Sequence, residues 1–367
     1  MNELALERHR LRRARSPRTV PPIISAIVPV RNEAAFLGAT LHQLLEQRYD
    51  PARYEILVAD GRSTDETRAV VTALQARYGQ LRLLDNPRLW SSAGRNVAIR
   101  ASRGDILLLI DGHCELNNPN YLQSVADAFA ESDADCVARP QPLDATNASS
   151  LQRAIAAARA SRLGHHPASY IYSDRPGFIP PQSAAIAYRR GVFETVGLFD
   201  EHFDACEDVE FNHRVARAGM TCWFAPEARV HYRARASLSG LFKQMVRYGR
   251  GRVRLLRKHP DTFSLPGFVP AVFLAGVVVG PLFAWWSAAA ALLYVGVLGV
   301  YVAVVLLASL ALCIHERDGK VLPWLPLVFP TIHAGAAIGV WSEMLLGCQR
   351  LPEEDIVPSV QSKRRAA

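Results

Sequence analysis

Between Thr262 and Ile314 the chain carries no Asp, Glu, Lys, Arg or His. That length holds two membrane spans of about 20 residues each, joined by a tight turn around Trp286 to Ala288. A helix in a water-soluble core rarely runs so far without a charge, so these two segments read as spans. A third apolar stretch, Val321 to Ser342, is interrupted by Pro323, Pro326 and Pro330. Three spans would put the basic tail (Arg350, Lys363, Arg364, Arg365) on the far side, against the positive-inside tendency. A re-entrant or interfacial third segment removes that conflict, and the sequence does not choose between the two. Residues 262–346 are thus a membrane region of two or three apolar helices, followed by a basic tail at 347–367.

The 367 residues are half apolar, which leaves room for a core-bearing domain ahead of the membrane region. The net charge of +8 comes largely from an Arg-rich N-terminus (Arg8, Arg10, Arg12, Arg13, Arg15, Arg18) and from Arg247 through Lys258. Neither stretch is interleaved with base-stacking aromatics, so no nucleic-acid partner is expected. A basic run directly before an apolar stretch suits an anionic cytoplasmic leaflet. Residues 1–20 have no apolar signal region and read as a disordered basic arm. Six cysteines lie scattered without a Cys-x-x-Cys pair, which supports neither a zinc site nor a disulfide framework, and they read as reduced.

Residues 21–255 alternate between two periodicities. Ile23 to Val30 is a short β-rich run suited to a buried parallel strand. Ala34 to Gln47 places Leu37, Leu41, Leu44 and Leu45 on one helical face. Strands at Tyr54–Ala59, Leu81–Leu84 and Ile106–Ile110, with a helix at Ala93–Ala101, continue the rhythm. This predicts an α/β fold with a mostly parallel, doubly wound sheet, whose ligands bind at the carboxyl ends of the strands. Beyond Asn120 come a helix over 121–131, a strand near Cys136, an Ala-rich helix from Leu151 to Leu163, a long loop over 164–183, a strand at Ala184–Tyr188 and a helix through Cys206–Ala218.

Four clusters carry candidate chemistry. Pro29-Val30-Arg31-Asn32-Glu33 ends the first strand, and Asp60-Gly61-Arg62-Ser63-Thr64-Asp65 follows the second. A carboxylate there can accept from a base or ribose, and Gly61 allows close approach; alternatively Asp60 and Asp65 cap the next helix. Asp111-Gly112-His113 places an acid and an imidazole around a turn, a pair suited to Mn²⁺ better than Ca²⁺, though such triplets are commonly plain turns. Asp200-Glu201 and Glu207-Asp208-Val209-Glu210 crowd carboxylates that would repel on an idle surface. One of them can serve as a proton acceptor, and an acidic helix start is the bland alternative. His231 and the basic run Gln244-x-x-Arg247-Tyr248-Gly249-Arg250 form the fourth cluster, readable also as a structural histidine and an electrostatic anchor.

Taken together and in order, Pro-x-x-Asn-Glu, Asp-Gly-x-Ser-x-Asp, Asp-x-His, Glu-Asp and Gln-x-x-Arg-Tyr resemble the family-2 glycosyltransferases across residues 24–252. The Asp-x-His form, the Arg-Tyr-Gly-Arg-Gly helix and the apolar tail look like the succinoglycan-type exopolysaccharide glucosyltransferases. The resemblance implies a GT-A fold and a multi-pass enzyme of the inner membrane with its catalytic domain cytoplasmic. It implies inverting transfer of one hexose from a UDP-sugar, UDP-glucose first, to a polyprenyl-diphosphate-linked glycan. It assigns Pro29 and Glu33 to the uridine, Asp60 to base or ribose with Asp65 in the same turn, and Arg95 to the donor. Asp111 and His113 take the position of a divalent metal (Mn²⁺ or Mg²⁺) and the diphosphate, with His231 a third ligand. Asp208 is the general base beside Glu207, and Gln244 and Arg247 close over diphosphate and acceptor. Two departures stand out: His113 where most of the family has Asp, and Tyr248 where processive synthases have Trp.

Two other classes compete. A sugar-nucleotidyltransferase shares the topology but needs a Gly-rich basic loop after the first strand, and residues 29–38 offer Arg31 as their only cation. A membrane scaffold that binds nucleotide sugars without turnover has no use for the acidic set at 207–210.

Overall fold

The computed structural model describes residues 20–144, 148–165 and 170–347. The basic arm, most of the basic tail and Cys348 lie outside the described residues. The strands are β1 (Ile24–Val30), β2 (Tyr54–Asp60), β3 (Leu81–Asp85), β4 (Ile106–Leu109), β5 (Cys114–Glu115), β6 (Cys136–Ala138), β7 (Leu143–Asp144), β8 (Gly177–Ile179), β9 (Ala185–Arg189), β10 (Cys222–Phe224) and β11 (His231–Arg233). The helices of the same region are α1 (Ala34–Leu45), α2 (Thr67–Gln75), α3 (Ser91–Ala101), α4 (Tyr121–Ser132), α5 (Ser150–Ala160), α6 (Arg190–Val196), α7 (Glu207–Arg217) and α8 (Leu238–Lys258).

An eight-stranded sheet runs in the order β3-β2-β1-β4-β9-β6-β10-β8, and a three-stranded sheet in the order β5-β11-β7. The first four strands are mutually parallel, with Val30 opposite Asp60 at their carboxyl edge. Strand β9 then enters antiparallel between β4 and β6, and β8 closes the far edge antiparallel to β10. The sheet is therefore mixed, not uniformly parallel.

Both faces of the sheet are covered, which is why β1 and β2 read as unbroken apolar runs. Ile24, Ala26 and Val28 of β1 pack with Leu37, Leu41 and Leu44 of α1 and with Val125 and Phe129 of α4. Ile27 and Leu57 point the other way, into a core shared with Ile99 of α3, Phe193 of α6 and Phe211 and Val215 of α7. Cys114, Cys136, Cys206, Cys222 and Cys313 are free thiols.

Three apolar helices follow: α9 (Leu265–Trp286), α10 (Ala288–Glu316) and α11 (Leu325–Leu346). Each is long and apolar enough to cross a membrane. Ser287 separates the first two and caps α10 by accepting from the Ala290 amide. The expected interruption of the third stretch is confined to its start: Pro326 occupies the first turn, where no intrahelical N–H is needed, and the helix continues through Pro330. Unlike α9 and α10, which leave most side chains exposed, α11 buries Val328, Phe329, Ile332 and Val340 against α8 and its neighbours.

Leu41 is fully buried in the first core. Replacing Leu41 by Ala should cost about 2–5 kcal/mol, read as a lowered thermal unfolding midpoint of the detergent-solubilised protein.

Candidate active site

The carboxyl edge of β1 and β4 opens into a cavity of about 640 Å³, closed on its far side by the turn before α7 and by α8. Pro29 and Glu33 line it from the end of β1, Arg95 from α3, Asp111 and His113 from the turn after β4, Glu207 and Asp208 from the start of α7, and Gln244 and Arg247 from α8. Nine expected site residues, drawn from one end of the catalytic region to the other, thus face one space.

Gly112 makes the turn possible, since a Cβ there would lie 2.8 Å from a Val30 methyl. Cys206, with φ of 63°, holds a left-handed conformation immediately before Glu207. A non-glycine residue in that region stores strain, and this one aims the first turn of α7 into the cavity.

Charge is arranged around Arg95, which is buried and lies 3.0 Å from Glu207 Oε1 and 3.7 Å from Asp111 Oδ1. Ser91 Oγ also donates to Glu207, at 2.7 Å, so that carboxylate is occupied. Asp111 accepts from Tyr232 Oη at 2.9 Å. Burial opposes its charge, but Arg95, His113 and the Tyr232 hydroxyl together hold its pKa below the usual carboxylate value. Burial likewise opposes charge on His113, yet its 3.0 Å contact with Glu33 and the nearby Asp111 raise its pKa above the ordinary imidazole value.

Asp208 behaves differently. Its carboxylate is open to the water of the cavity but walled by protein. It accepts from the Val209 amide at 2.9 Å and has no ion pair among the described residues. Desolvation and the adjacent Glu207 charge raise its pKa against the pull of Arg95.

Three expected site residues are placed elsewhere. Asp60 ends β2 beside Val30, but its carboxylate is turned onto Arg68 Nη1 at 2.9 Å and the Ser63 amide at 3.3 Å, and it does not line the cavity. Asp65 accepts from the Thr67 amide and hydroxyl and from the Ala34 amide. It ties the starts of α1 and α2 together, the capping alternative. His231 lies outside the lining because successive side chains of a strand face opposite ways. Its neighbour Tyr232 takes the cavity side, and His231 Nδ1 is buried with no hydrogen bond among the described residues.

Asp111 and His113 are the side chains suited to a cation here. Glu33 contacts His113, but among the described residues no three His, Cys, Asp or Glu ligand atoms mutually within 4.8 Å include this pair. One carboxylate and one imidazole are too few to enclose a cation but would fit a divalent ion that takes its remaining ligands from substrate and water, with the imidazole favouring a transition metal such as Mn²⁺ over Ca²⁺. A tighter group, His213, His259 and Asp261, sits where α8 leads into α9. There His259 contacts Glu210 at 3.0 Å, and Glu210 also holds Lys258 and Arg214. Glu210 is thus a buried anchor rather than a cavity group. Tyr232, Ser91, Trp90 and Asp204 are lining or supporting residues that no sequence motif had pointed to; Tyr232 was one position from the histidine chosen instead.

The model of the family described as "Glycosyltransferase like family 2" matches residues 21–251. The chain belongs to that family. The glycosyltransferase is 29% identical to the succinoglycan biosynthesis protein ExoA of Rhizobium meliloti, over 87% of this chain and 94% of the relative. It is 22% identical to a dolichyl N-acetyl-alpha-D-glucosaminyl phosphate 3-beta-D-2,3-diacetamido-2,3-dideoxy-beta-D-glucuronosyltransferase of Methanococcus voltae, over 88% of this chain and 98% of that one. Among solved structures, it shares its fold with a mannosyltransferase from Pyrobaculum calidifontis, in complex with GDP-Man and Mn²⁺. The TM-score is 0.57 with 19% identity, covering 94% of each chain.

In the glycosyltransferase, the Tyr232 hydroxyl should steady the Asp111 carboxylate. A hydrogen bond to a charged group contributes ~1.5–3 kcal/mol. Tyr232→Phe should therefore lower kcat/KM roughly 10- to 100-fold with the fold intact, measured by steady-state kinetics alongside circular dichroism.

Proposed function

We propose that this glycosyltransferase transfers one hexose from a UDP-sugar, UDP-glucose first, to a polyprenyl-diphosphate-linked glycan, inverting the anomeric centre. The enzyme would sit in the inner membrane with its catalytic domain on the cytoplasmic side. The observation that carries the proposal is Asp208: a carboxylate without an ion pair among the described residues, with a raised pKa, in the same cavity as Asp111, His113 and Arg95.

Asp208 takes the proton of an acceptor hydroxyl, which attacks the anomeric carbon from the face opposite the nucleotide. An α-linked donor then gives a β-linked product in one displacement. Pro29 and Glu33 hold the nucleoside end. Arg95, Gln244 and Arg247 supply donors for the diphosphate, and the Arg95 charge helps hold Asp111 in its ionised form. A divalent cation (Mn²⁺ or Mg²⁺) held by Asp111 and His113 would offset the charge that develops on the leaving nucleoside diphosphate. The Mn²⁺ bound with GDP-Man in the Pyrobaculum mannosyltransferase supports that part. The lipid-linked acceptor is supported by the dolichyl-phosphate sugar in the name of the Methanococcus relative and by three helices long and apolar enough to cross a membrane.

Asp208→Asn should lower transfer ~10²- to 10⁴-fold while UDP-sugar binding, followed by calorimetry, stays within a fewfold of wild type. The base acts in its deprotonated form, and its pKa is raised in the folded protein. Turnover should therefore fall as pH drops through that raised value. Glu207→Gln removes the neighbouring negative charge and should move the acidic limb of kcat to lower pH, measured as a pH–rate profile. Membranes containing the protein, incubated with Mn²⁺ and a panel of radiolabelled UDP-sugars, should carry label into the lipid extract from one of them. Label in water-soluble sugar alone would count against the lipid acceptor.

A further inference from the structure

Helix α8 is held between two surfaces, and a buried ionic relay runs across it. On one side a Cβ at Gly249 would come 2.2 Å from the Ala336 carbonyl oxygen and 2.9 Å from Gly339 Cα of α11. A Cβ at Gly339 would come 2.2 Å from the Val246 carbonyl oxygen. On the other side a Cβ at Gly251 would meet Cys206 Sγ at 2.7 Å and the Ala205 carbonyl oxygen at 2.8 Å. Neither contact leaves room for a side chain.

Arg254 joins the two surfaces. Its Nε lies 3.1 Å from Glu343 Oε1, and its Nη2 donates to Glu343 Oε2 at 3.1 Å. Its Nη1 pairs with the Asp204 carboxylate. Glu343, on the last turns of the apolar helix α11, is 2% exposed and also engages Arg257. Asp204 lines the cavity, and its carbonyl accepts from Arg247 Nη2 at 2.5 Å. Two residues beyond it come the strained Cys206 and then Glu207 and Asp208.

We infer that Arg254 is a positioning residue that couples the docking of the third apolar helix, through Glu343 and Asp204, to the turn carrying Glu207 and Asp208. The inference rests on the proposed function for its kinetic readout, but not for its structural one. Glu343 fixes where α11 sits on α8, Arg254 carries that position to Asp204, and the Asp204–Cys206 turn sets the direction of the base.

The test uses the full chain in vesicles of phosphatidylethanolamine and phosphatidylglycerol. The variants are Glu343→Gln, Asp204→Asn, and the double variant Arg254→Met with Glu343→Leu, which keeps the helix packing but removes the relay. Hydrogen exchange of the amides of residues 204–210 should quicken at least fivefold in each, with strand β2 unchanged. With UDP-glucose, or whichever UDP-sugar of the panel is turned over, kcat should fall tenfold or more while the donor KM stays within twofold. Arg254→Lys, which can still reach one carboxylate, should recover part of that loss. A well-folded double variant with wild-type exchange at 204–210 overturns the inference whatever its activity. Wild-type kcat in that variant overturns it too. If the wild type transferred nothing, the proposed function would fail, and the exchange measurement would still decide the relay. Should the double variant not fold, Asp204→Asn, altered at the partly open end, decides by the same two readings.

Discussion

One guanidinium, that of Arg95, makes the cavity electrostatically possible. Asp111, Glu207 and Asp208 converge there, and carboxylates at such range cannot all stay ionised without a cation. Arg95 comes from the interior of α3, where its guanidinium carbon lies over the Phe199 ring, 5.4 Å from the centroid, and is shielded from water. It lies near both Glu207 and Asp111 and holds the Asp111 pKa down, whereas burial and the adjacent Glu207 charge raise that of Asp208 against its pull. A carboxyl group with a raised pKa thus sits in the same cavity as one, Asp111, whose pKa is held down.

The same consideration explains what could be read from the sequence and what could not. The strands β1 and β2 and the helix α1 were legible because burial on both faces leaves an uninterrupted apolar run and burial on one face leaves a 3.6-residue period. The insertion of β9 antiparallel beside β4 was not, since apolar content records that a strand is buried but not which neighbour it pairs with. The two- and three-residue strands β5, β7, β8 and β11 are too short to carry any period. The site followed a similar rule. Asp111, His113, Glu207 and Asp208 could be singled out because each cluster lies at an element end, where a sheet of this kind presents its ligands, and all four line one cavity. Asp60 also lies at such an end, but Arg68, one helix start away, claims its carboxylate. Nothing in the local sequence says whether a carboxylate faces a ligand or an arginine eight residues on. The choice between His231 and Tyr232 was a question of strand phase, and a three-residue strand does not reveal its phase.

The third apolar helix shows why composition alone left its placement open. Helices α9 and α10 expose Leu, Val and Trp side chains almost all round, as a span facing lipid does. Helix α11 instead presents Gly335 and Gly339 to α8 and buries its aliphatic residues there. Small residues at such a crossing let two backbones approach closely, which is how helices associate where the surrounding solvent is itself apolar. The prolines that suggested a broken segment sit where a helix start or a neighbouring helix tolerates them.

That crossing also explains a charge in an unlikely place. Apolar packing between α8 and α11 would tolerate sliding, because one aliphatic contact is nearly as good as the next along a helix. A buried glutamate is not so forgiving. Moved by one turn, Glu343 would leave Arg254 and Arg257 behind, and an ionised group at 2% exposure without partners is strongly unfavourable. The Gly249–Gly339 contact sets how close the helices come, and the ionic contact sets their register. Both are needed if Asp204, which shares Arg254 with Glu343, is to hold one position at the cavity wall. A helix long and apolar enough to cross a membrane is thereby tied to the cavity wall through Arg254, although none of its residues lines the cavity.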